Sequence, residues 1–227
     1  MSEKGPWILV VDDSATSRMV IEKQLRKFGC RVTGAEDGRS ALAAIQAQRY
    51  GLVLLDCYMP DMNGYEVARR VREAEEGDPD AGYTPLIGIS AEADAAHVQL
   101  CLDSGMDGIL GKPLPIGEFK KMLSLWCDYD VDEPVASAPV DVQSVDLDAL
   151  FRTTSLQDLA AMRTAHAASD VAAVQRLAHR MKGAALTMQR EEIVTTLERI
   201  EDATRNGAAG FAAIVGLMAQ LEVPLGT

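Results

Sequence analysis

The sequence predicts two folds in succession, an α/β domain and then an all-α one, on three observations. Apolar runs at 7–11 (WILVV), 52–55 (LVLL) and 86–89 (LIGI) each end at a polar residue and alternate with amphipathic segments as far as residue 127. That is the pattern of strands covered on both faces of a parallel sheet. From Asp146 onward the pattern is wholly helical, with no strand-like alternation. Between the two, 128–145 (DYDVDEPVASAPVDVQSV) holds two prolines, five acids and no base, which predicts an extended linker. The expected boundaries are therefore 1–127, 128–145 and 146–227.

In chain order, strand 7–11 runs into Asp12 and Asp13. Residues 14–28 set Met19, Val20, Leu25 and Phe28 among Arg18, Lys23, Arg26 and Lys27, an amphipathic helix opened by a Ser14 N-cap and closed by Gly29. Residues 31–35 form a second strand, and 38–48 a second helix with Ala41, Leu42 and Ile45 on one side. Strand 52–55 stops at Asp56, and Pro60 and Gly64 follow. Ligands in open α/β sheets sit beyond the carboxyl ends of strands, so Asp56 stands where chemistry is expected. Helix 64–76 carries Val67 and Val71 and gives way to a polar loop with Pro and Gly. Strand 86–89 ends at Ser90, a helix covers 95–103, a short strand 109–111 precedes Lys112 and Pro113, and a fifth helix covers 115–127. Five strands alternating with five helices require right-handed crossovers.

In the second half, helices are expected at 156–168, 171–188, 191–204 and 208–221, with a short leading helix at 147–151. Short connections imply an antiparallel four-helix bundle.

The 227 residues carry a net charge of -12. The charge is uneven: 1–145 hold 24 acids and 14 bases, and 146–227 hold 10 acids and 8 bases. Neither half is basic, which argues against direct nucleic-acid binding. Cys30, Cys57, Cys101 and Cys127 lack paired metal spacing, which argues against a zinc site and for small core residues in a reducing compartment. No apolar run is read as a membrane span, and the expected location is cytoplasmic.

Four strand ends bring Asp12, Asp13, Asp56, Ser90 and Lys112 together if the strands lie side by side. On these five positions, in this order, residues 6–127 resemble the response-regulator receiver domain. The resemblance implies a (βα)5 flavodoxin-like, doubly wound sheet of order 2-1-3-4-5. It also implies Mg²⁺-dependent self-phosphorylation and dephosphorylation at Asp56. Asp13 and Asp56 would ligate the metal directly with the backbone carbonyl of Tyr58, and Asp12 mainly through water. Lys112 and Ser90 would contact the phosphoryl oxygens. Ile109 departs from the family, which usually carries an aromatic residue there.

Of the three histidines, His97 is read as lying on a surface helix and His166 as sitting in a helix's last turn, where a cation suits the dipole. His179 differs. Val171, Val174, Ala178, Met181, Ala185 and Met188 form one apolar stripe, and His179 lies at its edge beside Arg176, Lys182 and Gly183. Gly183 costs about 1 kcal/mol mid-helix relative to Ala and removes bulk one turn from the ring. The segment HRMKGAA resembles the histidine-phosphotransfer motif, which carries over as His179 for the phosphoacceptor with Lys182 and Gly183 in support. Gln189 stands where that family often has Gly.

Together the resemblances imply a phosphorelay like the C-terminal part of a hybrid sensor kinase. A sensor histidine kinase would be the donor and a downstream response-regulator receiver the acceptor. The rival reading is a phosphorylation-switched binding module whose bundle docks partners without chemistry. No ATP-binding kinase region is visible in the sequence.

Overall fold

The computed structural model describes residues 5–78, 82–92, 94–131 and 146–226, which fall into two compact units. Most of the linker expected over 128–145 lies outside the described residues. At its start Tyr129 is described, and its hydroxyl donates to the Phe28 carbonyl at 2.9 Å.

In the first unit the elements alternate as β1 (Trp7–Val11), α1 (Ala15–Lys27), β2 (Arg31–Ala35), α2 (Gly38–Ala47), β3 (Leu52–Asp56), α3 (Gly64–Gly77), β4 (Leu86–Ser90), α4 (Ala95–Asp103), β5 (Gly108–Gly111) and α5 (Ile116–Cys127). The strands form one parallel sheet in the order β2-β1-β3-β4-β5. Alternation across the pleat sorts their side chains into two cores. Leu9, Val11, Val53 and Leu55 face Val67, Ala68, Val71 and Cys101. Ile8, Val10, Leu52 and Leu54 face Ile21, Leu25, Phe119 and Leu123. Both faces are covered, which is why these strands are apolar without interruption.

Strand register then positions the site. Val11 partners Leu55, so Asp12 emerges beside Asp56. Ser90 partners Gly111, so Lys112 emerges next to Ser90. Asn63 caps α3 by accepting from the Glu66 amide at 2.9 Å. Gly64 then lies so close to the β3 tip that a Cβ there would stand 2.3 Å from the Asp56 carbonyl oxygen, a place for glycine alone.

The second unit contains α6 (Leu147–Ala167), α7 (Val171–Thr187), α8 (Glu191–Arg205) and α9 (Gly207–Leu225). Each helix packs on its sequence neighbour, and α6 packs on α9, which is the closed ring of an up-and-down bundle. Its core joins Leu159 and Met162 of α6, Ala178 and Met181 of α7, Leu197 and Ile200 of α8, and Ile214, Leu217 and Leu221 of α9. Asp146 and Asp170 cap α6 and α7.

Two expectations change. The short helix at 147–151 and the helix from 156 are one 21-residue helix. The weak helix formers between them are accommodated because Thr154 donates its hydroxyl back to the Leu150 carbonyl at 3.0 Å and Ser155 is buried. Also, α9 runs on through Pro224 to Leu225, and it is long and apolar enough, by length and composition, to cross a membrane. No such run had been read from the sequence, because the helix is rich in Ala and Gly. In this fold its Ile214, Leu217, Met218, Leu221 and Leu225 face the bundle core.

Candidate functional site

At the carboxyl end of the sheet, Asp12, Asp13 and Asp56 bring one carboxylate oxygen each within 4.8 Å of one another. Asp12, Asp56 and Lys112 are buried. The Lys112 ammonium bridges two of the acids, 2.8 Å from Asp12 Oδ2 and 2.7 Å from Asp56 Oδ2. Asp56 Oδ1 accepts from the Tyr58 amide at 3.0 Å, and the Ser90 hydroxyl accepts from the Glu92 amide at 3.1 Å. The five receiver positions singled out in the sequence thus meet at one sheet tip. Lys112 serves as a counter-ion to the acids here, a partnership not anticipated from sequence.

One ammonium shared by two acids explains the electrostatics. Burial pushes the Asp56 carboxyl above its ordinary value, Asp12 adds to the push, and Lys112 opposes it without prevailing. Burial would lower the Lys112 ammonium, but the two carboxylates hold it well above the usual lysine value. Three acids against one base leave the pocket short of positive charge. Hard oxygen donors in that number suit Mg²⁺, so the residues fit the ion. Ile109 on β5 packs against the core formed with α2, α3 and α4.

In the bundle, α7 presents Val174, Ala178, Met181 and Ala185 to the core. His179 Nδ1 lies 3.1 Å from Glu201 Oε1 on α8, and Lys182 Nζ donates to the other oxygen, Glu201 Oε2. Burial would raise the Glu201 carboxyl, yet its bonds to His179 and Lys182 hold it below the ordinary glutamate value. An ionised carboxylate can only accept, so Nδ1 carries a proton, and in the neutral ring that arrangement leaves the lone pair on Nε2. Glu201 was missed in the sequence. The signal was available: it stands four residues after Leu197 and beside Ile200, a buried acid on the apolar side of α8. Arg176 is exposed, and Gly183 lies one turn beyond His179 on the same helix.

Of the other two histidines, His166 stands in the last turn of α6 as expected, and His97 departs from expectation. His97 is buried, its Nε2 3.0 Å from the Tyr65 hydroxyl, because its ring packs between Tyr58 and Tyr65. His166 stacks on Phe211 and its Nε2 lies 2.7 Å from the Phe211 carbonyl oxygen, so its role is a tertiary bond to α9.

A parallel sheet with an acid pocket at its tip, followed by a bundle bearing a carboxylate-oriented histidine, defines a two-part signalling module. The chain matches the response regulator receiver domain over residues 8–124 and the Hpt domain over residues 146–222. The first match covers more than half of it, and the chain belongs to the response regulator receiver family, with an Hpt domain behind the receiver. Receiver domains bind Mg²⁺ in their active site.

The virulence sensor protein BvgS of Bordetella parapertussis is 30% identical over 94% of this chain and 19% of its own length. The sensor histidine kinase RcsC of Escherichia coli is 38% identical over 53% of this chain and 12% of its own length. The chain thus spans less than a fifth of such relatives. One chain in the co-crystal structure of the Saccharomyces cerevisiae histidine phosphotransfer signaling protein Ypd1 with the receiver domain of its downstream response regulator Ssk1 matches with a TM-score of 0.51. That match has 21% identity and covers 58% of this chain and 97% of that one; it reflects the fold.

Proposed function

We propose that this chain is the receiver and phosphotransfer portion of a phosphorelay, with the receiver at 1–127, the linker at 128–145 and the bundle at 146–227. An Asp56 oxygen attacks the phosphorus of a sensor kinase's phosphohistidine. The P–N bond breaks and an aspartyl phosphate forms. Nε2 of His179 then attacks that phosphorus, the P–O bond to Asp56 breaks, and a downstream receiver collects the group from His179.

Phosphoryl transfer asks for in-line positioning and charge neutralisation rather than further covalent chemistry. Lys112, already against Asp56, is placed to follow the charge onto an equatorial oxygen, and the Ser90 hydroxyl to donate to another. Asp13, Asp56 and the Tyr58 carbonyl would hold Mg²⁺, with Asp12 acting mainly through water. When bound there, the ion would supply positive charge against the incoming phosphate. In the bundle, Glu201 holds the nucleophilic tautomer of His179 and keeps Lys182 beside it. Lys182 can turn to the phosphoryl group when it arrives. The expected location is the cytoplasm, where both donor and acceptor modules act.

The observation that carries this reading is the presence, in one chain, of the Lys112-bridged acid pocket and of a histidine oriented by a buried glutamate. The test is phosphotransfer from a labelled sensor kinase. Wild type should acquire an acid-labile, alkali-stable phosphohistidine. His179→Gln should stop at the aspartyl phosphate, and Asp56→Asn should take up no label from the kinase. Label confined to Asp56 in wild type would leave a phosphorylation-switched docking module instead.

A further inference from the structure

A second cluster of ligating side chains lies in the core between α4 and the tip of β3. Cys57, His97 and Cys101 are all buried, and one ligating atom from each lies within 4.8 Å of the others. Cys57 follows Asp56 directly. His97 and Cys101 are four residues apart on α4 and so share a face.

The two sulfurs stand 3.7 Å apart. Two thiolates on one tetrahedral zinc, each at about 2.3 Å, would be about 3.8 Å apart, so the pair already has the spacing of a metal-bound pair. Gly88 on β4 borders this space. A Cβ there would lie 3.1 Å from the Cys57 sulfur and 3.5 Å from the Cys101 sulfur. The Tyr65 hydroxyl is 3.0 Å from His97 Nε2 and the Tyr58 hydroxyl 3.4 Å from Nδ1, so the ring nitrogen that the ion does not take keeps an outer hydrogen-bond partner that orients the imidazole.

We propose that Cys57, His97 and Cys101 form a site for a zinc-class divalent ion, separate in chemistry from the oxygen-lined pocket beside it. Two sulfurs and an imidazole select against Mg²⁺ and Ca²⁺, which prefer oxygen. On binding, the ion displaces the two thiol protons to solvent and takes the lone pair of one neutral ring nitrogen. Two thiolate charges cancel the charge of the ion, so the buried complex is neutral and avoids the penalty of an unpaired charge. Paired spacing is absent from the sequence because one ligand comes from a strand end and two from a helix 40 residues further on. The bound ion ties α4 to the residue next to Asp56. The inference stands apart from the phosphorelay reading.

The test uses the reduced, metal-free full chain in excess Mg²⁺, which occupies the carboxylate pocket, titrated with Co²⁺ as the spectroscopic probe. One equivalent should bind with thiolate-to-cobalt charge-transfer bands and intense tetrahedral visible bands, both erased by one equivalent of Zn²⁺. Cys57→Ser and Cys101→Ser should lose the charge-transfer bands, and Cys30→Ser and Cys127→Ser should keep them. A wild-type titration without tetrahedral bands overturns the proposal whether or not the variants fold. So do bands that persist in folded Cys57→Ser. If diamide joins the two sulfurs while cobalt gives no bands, they are a redox pair and the metal site is wrong.

Discussion

Glu201 on α8 accepts a hydrogen bond from Nδ1 of His179 on α7 at 3.1 Å, and its second oxygen accepts from Lys182 on the same helix as the histidine. One acid thereby sets the ring's tautomer and neutralises a buried ammonium. Glu201→Ala should slow phosphoryl uptake at His179 about 10–100-fold, taking the scale at which a metal-bound histidine responds to loss of its orienting carboxylate. It should also destabilise the bundle by about 3 kcal/mol, since Lys182 is left buried without its carboxylate. Glu201→Gln should recover much of the stability but less of the rate. Kinase-driven labelling and urea unfolding of the same proteins separate the two effects.

The same contact has a pH signature. The Glu201 carboxyl is held below the ordinary value of 4.5 by its two partners. The folded state therefore binds its proton less tightly than the unfolded chain does. Its stabilisation is full above that ordinary value and is lost as pH falls through the lower folded-state value. The stability gap between wild type and Glu201→Gln should be widest above pH 4.5 and close below it, as read by urea midpoints. A gap that widens on acidification would contradict the depressed carboxyl.

Asp56 has the opposite sign. Burial and Asp12 raise its carboxyl against the pull of Lys112, so its contribution to stability is favourable in acid and lost as pH rises through the folded-state value. Ionised Asp56 thus strains the metal-free pocket at neutral pH. In EDTA, Asp56→Asn should melt higher than wild type, because the substitution removes the destabilised charge while Lys112 keeps Asp12 as a partner. Mg²⁺ should raise the Tm of wild type by mass action. Asp56→Asn and Asp13→Ala should respond weakly. Differential scanning fluorimetry with and without Mg²⁺ checks both signs.

Element spans and strand tips are legible in the sequence where burial is two-sided. Runs such as LVLL stop where the chain leaves the sheet, so Asp56 and Ser90 could be located before any register was known. What is not legible depends on side chains meeting across elements. Lys112 finds Asp12 a hundred residues away, and Glu201 finds His179 across two helices. Neither partnership has a local spacing to betray it. The helix fusion at α6 was hidden for another reason: RTTS reads as a break by propensity, and tertiary packing overrides weak propensity. His97 was misplaced because a nine-residue helix has too few turns for its apolar face to be plain.

The end of α7 provides a prediction that turns on backbone alone. Gln189 adopts φ 56, in the left-handed region. Its amide donates to the Leu186 carbonyl at 3.0 Å, and the Arg190 amide donates to the Ala185 carbonyl at 2.8 Å. With Met188 as C-cap, this is the Schellman pattern, in which the residue after the cap is usually glycine. A side chain in that conformation costs about 1–2 kcal/mol, partly offset because glycine loses more entropy on folding. Gln189→Gly should therefore stabilise the bundle by about 0.5–1 kcal/mol, and Gln189→Ala should not. His179 lies ten residues earlier on the helix, about 15 Å along the axis, so its labelling rate should stay the same. Urea midpoints of the three proteins decide the matter. If glycine and alanine behave alike, the left-handed turn at Gln189 is not what ends the helix.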